Sequence, residues 1–563
     1  MSRLVRRREP SCATKAHTGW PELLGRVLAN RGIADNESLG SSLAEMIPVG
    51  LLAGVTEAAA LLLRHRDKGR VLIVGDFDAD GATSTALMMR ALQAMGFHSV
   101  DFLVPNRFEF GYGLTPEIVQ LALQREPTLL VTVDNGISSI EGARQAALAG
   151  LDLLVTDHHL PPTELPIAQV IVNPNLADSE FPSKNLAGVG VAFYVMAALA
   201  RELACGFSPA DLLDLVALGT IADVVPMDKN NRILAQEGLK RIRAGKCAPG
   251  ILALLDLAGR DARRVTASDL AFAVAPRLNA AGRLDDMSLG IRCLLAQEPE
   301  QARKWAAELD QLNRERRSIE GRMQEQALQA VKSLQLDGGH ELPLVLCLFD
   351  PDWHQGVVGL VASRIKDKVH RPVFAFARTG EGELKGSARS VSGLHIRDAM
   401  DNVATLHPGL LSKFGGHAMA AGLSLAEADL EAFRHAMQLE VARWQDGMDL
   451  EGVLWTDGPL APEEFKLENA ELIREAAPWG QQFPEPRFDG LFHVLESRIV
   501  GETHLKMRVR HAEGGQVWDA IAFGQGELKD QLGQNMSLVY RLEVNEWQGS
   551  RSLQLMVEHI QPG

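Results

Sequence analysis

Cysteine is scarce in this chain. Five are scattered over 563 residues, at Cys12, Cys205, Cys247, Cys293 and Cys347. No two form a CxxC pair, so neither a thiolate zinc site nor a disulfide framework is signalled. Long apolar runs are also missing, since none reaches the ~18–20 residues a membrane span needs. The N-terminus is basic (Arg3, Arg6, Arg7, Arg8), but no apolar stretch follows it. A secretory signal is therefore not expected, and the expected location is cytoplasmic, with no membrane partner. Aromatic residues make up only 5%. Positive charge is in deficit, with Lys+Arg 57 against Asp+Glu 72 and a net charge of −15. That balance argues mildly against nucleic acid, whose phosphates favour a positive field. The objection is weak for an enzyme in which metal ions carry the positive charge. No GxxxxGK[ST] phosphate loop occurs, so no motor that couples nucleotide hydrolysis to unwinding is expected.

The residues present describe a globular chain: 46% are hydrophobic and 23% charged. The length suggests about three domains of ~100–200 residues each. After an accessory segment over residues 1–45, with a short amphipathic helix near Trp20–Asn30, a repeating rhythm begins. Apolar runs at 71–74, 100–104, 128–133, 152–156 and 170–172 alternate with helical stretches such as 83–95. Such runs predict a parallel sheet covered on both faces. Ligands of these sheets sit beyond the carboxyl ends of the strands. Residues 298–334, rich in Ala, Glu, Gln, Arg and Leu and interrupted only by Gly321, predict one long connecting helix. Gly338-Gly339 marks a break, and α/β rhythm returns over 342–440, with strands at 344–349 and 373–377. From Phe488 onward five short strands at regular spacing predict a small β-barrel. The fold class is thus α/β, two such domains and a terminal barrel.

Four acidic clusters fall where the parallel sheet would build its site. The first is Asp76-Phe77-Asp78-Ala79-Asp80-Gly81, directly after a strand. It starts like an EF-hand, but loop position twelve is Leu87 and no helix precedes it. The others are Asp134-Asn135-Gly136, Asp157-His158-His159 and Gly219-Thr220-Ile221-Ala222-Asp223. A lone Asp of this kind is more often a cap or turn residue. Several carboxylates converging at strand ends repel one another unless cations compensate. Carboxylate with imidazole, and no thiolate, suits Mn²⁺ or Mg²⁺. One carboxylate shared by two ions would clamp a phosphodiester and activate a water.

In this order the four clusters resemble the N-terminal motifs of the DHH phosphoesterase family. Further matches are Pro105-Asn106-Arg107 with Tyr112-Gly113, Arg277-Leu278-Asn279 with Arg283, Trp353-His354 with Gly356 and Gly359, Ser387-Ala388-Arg389, and Gly415-Gly416-His417. The last is similar to the GGH motif of the DHH-associated domain. The set covers about residues 50–563 and is similar to the long, exonuclease members. The resemblance implies a DHH domain over 46–297, a connecting helix over 298–335, a DHH-associated domain over 336–447 and an oligonucleotide-binding (OB) barrel over 448–563. It implies two ions held by Asp78, Asp80, Asp134, His158 and Asp223, with Asp134 as the bridge. Asp76 belongs to the same set with a less defined role. His159 is expected at the scissile phosphate, and Asp157 orients a histidine.

The resemblance also implies a 5′-to-3′ exonuclease on single-stranded DNA that releases nucleoside 5′-monophosphates in repair and recombination. It would work as a monomer with a helicase and a single-strand-binding protein. Arg107, Arg277, Asn279 and His354 are expected at the substrate, and Tyr112 is expected to stack on a base. Ser387, Arg389, Gly415, Gly416 and His417 are expected to form a pocket for the 5′ phosphate. In the barrel, Lys506, Arg508 and Arg510 alternate with Met507 and Val509, so the cations share a strand face. Such a face is usually only solvated, but in an OB barrel it can track a nucleic-acid backbone. Two other readings compete: a shorter-substrate diesterase, whose chains lack the barrel, and a metal-free replication scaffold, whose relatives lose the ligands retained here.

Overall fold

The computed structural model describes residues 3–13, 19–40, 42–106, 109–337, 342–380, 382–547 and 549–562. The expected break at Gly338-Gly339 lies outside them. The chain divides into two units, one built from residues 7–313 with 456–562 and the other centred on 314–455.

In the first unit a helix α1 (Glu22–Ala29) precedes the parallel sheet. The sheet holds β1 (Val71–Gly75), β2 (Val100–Leu103), β3 (Leu129–Val133), β4 (Asp152–Thr156) and β5 (Val170–Val172) in the order β2-β1-β3-β4-β5. All four neighbouring pairs are parallel, as the apolar runs predicted. Successive side chains of a strand point to opposite faces, so a doubly covered strand is apolar throughout. In β1, Val71 and Ile73 join one core cluster while Leu72 and Val74 join another on the opposite face. The chain leaves β1 toward β2 and returns to place β3 on the other side of β1. The crevice at such a reversal, beyond the strand ends, is the usual ligand position. Helices α2 (Ala79–Ala94), α3 (Gly188–Leu203), α4 (Leu213–Ala222) and α5 (Ala275–Leu284) complete this part.

The predicted long helix is α6 (Pro299–Asp337), 39 residues and so on the order of 60 Å of helix. Nothing packs where a Cβ on its Gly321 would lie, and a single interior glycine, at about 1 kcal/mol, does not break a helix of this length. The second unit contains β6 (Leu346–Phe349), α7 (Val358–Val369), β7 (Val373–Gly380), β8 (Glu383–Arg389), β9 (Lys413–Gly416) and β10 (Ala420–Ala426). Its sheet order is β9-β10-β8-β7-β6, with only β6 and β7 parallel.

The C-terminal strands close into the expected barrel: β11 (Phe488–Val500), β12 (His504–His511), β13 (Val517–Ala522), β14 (Asn535–Trp547) and β15 (Ser550–Pro562). Of the segment read as accessory, the part from Arg7 onward belongs to this unit. Leu23 and Val27 of α1 belong to the barrel core, whereas Leu24 and Leu28 belong to the core of the parallel-sheet domain. Just past α1, Arg31 donates to both oxygens of Asp457, at 2.7 and 3.0 Å, with both side chains almost fully buried.

Candidate active site

The metal-site carboxylates are placed by strand ends and helix starts. Asp76 follows β1 directly. Asp78 caps α2 and accepts from the backbone N–H groups of Asp80 and Gly81. Asp80 sits in the first turn of α2, and its two oxygens accept from Gly188 and Val189 at the start of α3, at 2.6 and 2.9 Å. Asp134 follows β3 with φ +61°, a left-handed conformation that Asp tolerates better than most residues. His158 and His159 follow β4, and Asp223 closes the end of α4.

These residues converge into overlapping groups whose ligand atoms lie within 4.8 Å of one another: Asp76 with Asp78 and Asp134; Asp134 with His158 and His159; and Asp80 with His158 and Asp223. Nε2 of His158 lies 3.1 Å from Oδ1 of Asp134 and 3.5 Å from Oδ2 of Asp223. Oδ1 of Asp134 and Nε2 of His158 are buried and have no hydrogen-bond partner among the described residues. Buried polar atoms without partners are rare and costly, so these two point to a missing ligand. Burial, then the charge of Asp223, pushes Asp80 up to about 7. Burial, then Asp78, pushes Asp223 up to about 8. Asp134 is held well above the carboxylate range by burial and by Asp80. Burial, then His159, lowers His158, which favours the neutral imidazole a metal needs. An all-oxygen-and-imidazole donor set, electrostatically frustrated without cations, fits divalent ions such as Mn²⁺ or Mg²⁺. Gly188 completes the geometry, because a Cβ there would lie 2.6 Å from Cβ of Asp134.

Asp157 orients His159 and not His158. Its Oδ1 faces His159 Nδ1 at 2.7 Å and also accepts both histidine backbone N–H groups, while Oδ2 accepts from Ile137. Burial is the largest single effect and lowers His159, but the hydrogen bond and charge of Asp157 together with the charges of Asp223 and Asp76 outweigh it and raise the imidazole to about 9. The ring of Tyr112 is 45% exposed, edge-on to Phe77 and His159, and its hydroxyl donates to the Asp134 carbonyl at 3.3 Å. Arg107 lies outside the described residues. Arg277 is buried and engaged with Asp310 at 2.9 Å, and Asn279 accepts from the N–H of Ala79 at 2.8 Å.

The residues expected at the 5′ phosphate lie in the second unit. Ser387 and Arg389 alternate on β8. Ser387 pairs with Gly422 of β10, which pairs with Gly415 of β9, so the three share a row across the sheet. Gly416 adopts φ +144°, and a Cβ there would lie 2.5 Å from the Ala420 carbonyl, so the hairpin requires glycine. His417 donates its N–H to that same carbonyl. Nδ1 of His354 accepts from the N–H of Gly356. At the start of α7, a Cβ on Gly359 would lie 3.1 Å from a guanidinium nitrogen of Arg389 and 3.3 Å from Oγ of Ser387. Burial lowers Arg389, and among the described residues its hydrogen bond goes to a backbone carbonyl, that of Ala388, and not to a carboxylate.

In the barrel, Lys506 and Arg508 point outward while Met507 and Val509 enter the core. The face is not purely basic: Lys506 pairs with Asp519 and Arg508 with Glu496, each at 3.2 Å. With Arg498 and Ser497 they line a cleft of about 280 Å³.

A two-ion phosphoesterase is the class this geometry defines. The family model "DHH family, N-terminal domain" matches residues 70–220, "DHHA1 domain" matches 342–443 and "RecJ OB domain" matches 456–559. The "Single-stranded-DNA-specific exonuclease RecJ" of Dickeya dadantii is 53% identical over 569 residues, covering 99% of both chains. The crystal structure of RecJ in complex with Mn²⁺ from Thermus thermophilus has a TM-score of 0.80 at 32% identity, covering 99% of this chain and 80% of that one. The corresponding Mg²⁺ complex has a TM-score of 0.74 at 30% identity and covers 99% and 79%. The chain belongs to the RecJ family of DHH phosphoesterases, metal-dependent hydrolases with a C-terminal OB domain.

Proposed function

We propose that the chain degrades single-stranded DNA from its 5′ end, releasing nucleoside 5′-monophosphates, in DNA repair and recombination. The observation that carries this reading is the buried, partnerless pair Asp134 Oδ1 and His158 Nε2 amid carboxylates. Asp76, Asp78 and Asp134 would hold one divalent ion; Asp80, His158 and Asp223, with Asp134 shared, would hold the other. Bound there, Mn²⁺ or Mg²⁺ polarises a phosphodiester and supplies an activated water.

The protein's own groups do the remaining work. His159, held by Asp157, faces the scissile phosphate and stabilises charge that develops on it. Tyr112 offers an exposed ring face to a base, and its hydroxyl ties it to the metal strand. Arg107 and Arg277 contact the phosphate backbone, Arg277 by exchanging Asp310 for phosphate. Asn279 and His354 also contact the strand. Ser387, Arg389, Gly415, Gly416 and His417 capture the terminal 5′ phosphate, for which a partly buried guanidinium with no carboxylate partner among the described residues is well suited. Lys506 and Arg508 exchange Asp519 and Glu496 for the strand's backbone further along. The protein acts as a cytoplasmic monomer, with a helicase to unwind duplex and a single-strand-binding protein on the substrate.

A time course on 5′- and 3′-labelled single strands, blunt duplexes and both overhangs tests this. Label release from the 5′ end of single strands, dependent on Mn²⁺ or Mg²⁺ and not on ATP, is expected. Preferential attack at 3′ overhangs, or equal rates on blunt duplex, would refute the reading.

A further inference from the structure

Asn279 lies 200 residues from Ala79 in sequence, yet their side chain and backbone are joined directly. A helix leaves its first N–H groups without intrahelical acceptors. In α2 these groups belong to the acidic loop itself. The N–H groups of Asp80 and Gly81 donate to Asp78 Oδ1 at 2.9 and 3.0 Å, whereas that of Ala79 donates to Asn279 Oδ1 at 2.8 Å. Ala79 and Asp80 are each only 1% exposed, so water is a poor substitute for that acceptor. One turn along α5, a Cβ on Gly282 would lie 1.7 Å from the carbonyl oxygen of Phe77. Helix α5 therefore lies directly on the loop backbone, and Asn279 is its polar hold. Because the loop demands an acceptor, the amide oxygen faces inward and Nδ2 is left with no partner among the described residues.

We propose that Asn279 is a positioning residue for the metal pair: its Oδ1 pins the loop so that the carboxylates of Asp76, Asp78 and Asp80 converge, with α5 as the brace. This rests on the metal-site reading above. It gives Asn279 a role distinct from contact with substrate, which its outward Nδ2 remains free to make. Groups that orient ligands typically change metal affinity about 10–100-fold when removed.

The experiment titrates Mn²⁺ calorimetrically into the metal-free, full-length protein, parent and variants, well below the melting temperature. Asn279→Ala is expected to bind Mn²⁺ about tenfold or more weakly. Asn279→Asp, which keeps an oxygen acceptor but replaces Nδ2 with a second, anionic oxygen, is expected to bind no more weakly than the parent while losing affinity for a single-stranded oligonucleotide. A merely structural role would lower the melting temperature and leave the Mn²⁺ affinity of the folded protein unchanged. Parent-like Mn²⁺ binding by Asn279→Ala would overturn this inference alone. So would an Asn279→Asp protein that loses Mn²⁺ binding, the variant that decides if Asn279→Ala does not fold. A parent that binds no Mn²⁺ would overturn the metal-site reading as well.

Discussion

Two buried carboxylates in the same unit have opposite surroundings. Asp457 is chelated by Arg31, accepts from Asn30 and takes the backbone N–H of Arg487. Asp134 faces other carboxylates and a histidine, and its Oδ1 has no hydrogen bond among the described residues. Burying a charge costs several kcal/mol unless a partner compensates. The first site has its partner in the chain and is complete as a structural link. The second lacks one, and that deficit is what identifies a place built for an external cation. Burial alone does not separate structure from function; the pairing does.

The contrast breaks most sharply at Asp134. Asp134→Ala is expected to lower nuclease turnover by on the order of a thousandfold or more, through loss of the shared carboxylate. Its folded stability without metal should stay equal to or above that of the parent, because the fold no longer has to keep a proton on a buried carboxylate. Turnover near that of the parent would reverse the assignment.

At the other carboxylate the signs exchange. Arg31→Ala strips buried Asp457 of its bidentate cation and leaves it Arg8 at 3.7 Å and the donors of Asn30 and Arg487, so it should destabilise the fold by about 3 kcal/mol in denaturant titration. Nuclease turnover of the remaining folded protein should change little. A loss below ~1 kcal/mol would place the pair with ordinary surface bridges.

The pH dependence sharpens the comparison. Asp80 and Asp223 are raised to about 7 and about 8 from an ordinary 3.8, and Asp134 is raised too. The metal-free folded chain therefore keeps protons that the unfolded chain has released. Its stability should fall as pH rises through that window, by linkage. Asp134→Asn removes one of these charges, so its stability advantage over the parent, measured by melting in chelator, should grow from pH 5 to pH 8. Added Mn²⁺ should cancel that growth by displacing the protons. An advantage independent of pH would contradict the electrostatic account.

The smallest effect concerns the barrel, whose cations already have partners. Lys506→Ala with Arg508→Ala should lower the salt slope of binding to long single strands by roughly 0.7 per lost phosphate contact. The stability change should be within ~1 kcal/mol, since both pairs are exposed or partly so. An unchanged slope would make the face merely solvated.

The parallel sheet was legible because apolar runs and strand ends are local signals, and the acidic clusters sat at those ends. The barrel was legible because its short strands recur at regular spacing after Phe488, and the outward face of β12 was legible because cations alternate there with inward Met507 and Val509. What was not legible depends on long-range contact. The role of α1 was missed because its two apolar faces serve different cores, which reads in sequence as one short amphipathic helix. Gly188 and Val189 contribute only backbone N–H groups, and the sole trace they leave is a glycine-rich start to an apolar helix. The carboxylates facing Lys506 and Arg508 come from neighbouring strands, so one strand's pattern showed the cations alone.

The position of α1 also sets an order of events during synthesis. Arg31 and Asp457 are separated by 426 residues, so at ~5–20 residues per second the helix leaves the ribosome on the order of half a minute before its barrel exists. During that interval Leu24 and Leu28 can settle against the growing α/β core, while Leu23 and Val27 stay uncovered. The barrel is thus what seals a segment made long before it, and a chain stopped short of the barrel leaves the Leu23 and Val27 side of α1 uncovered.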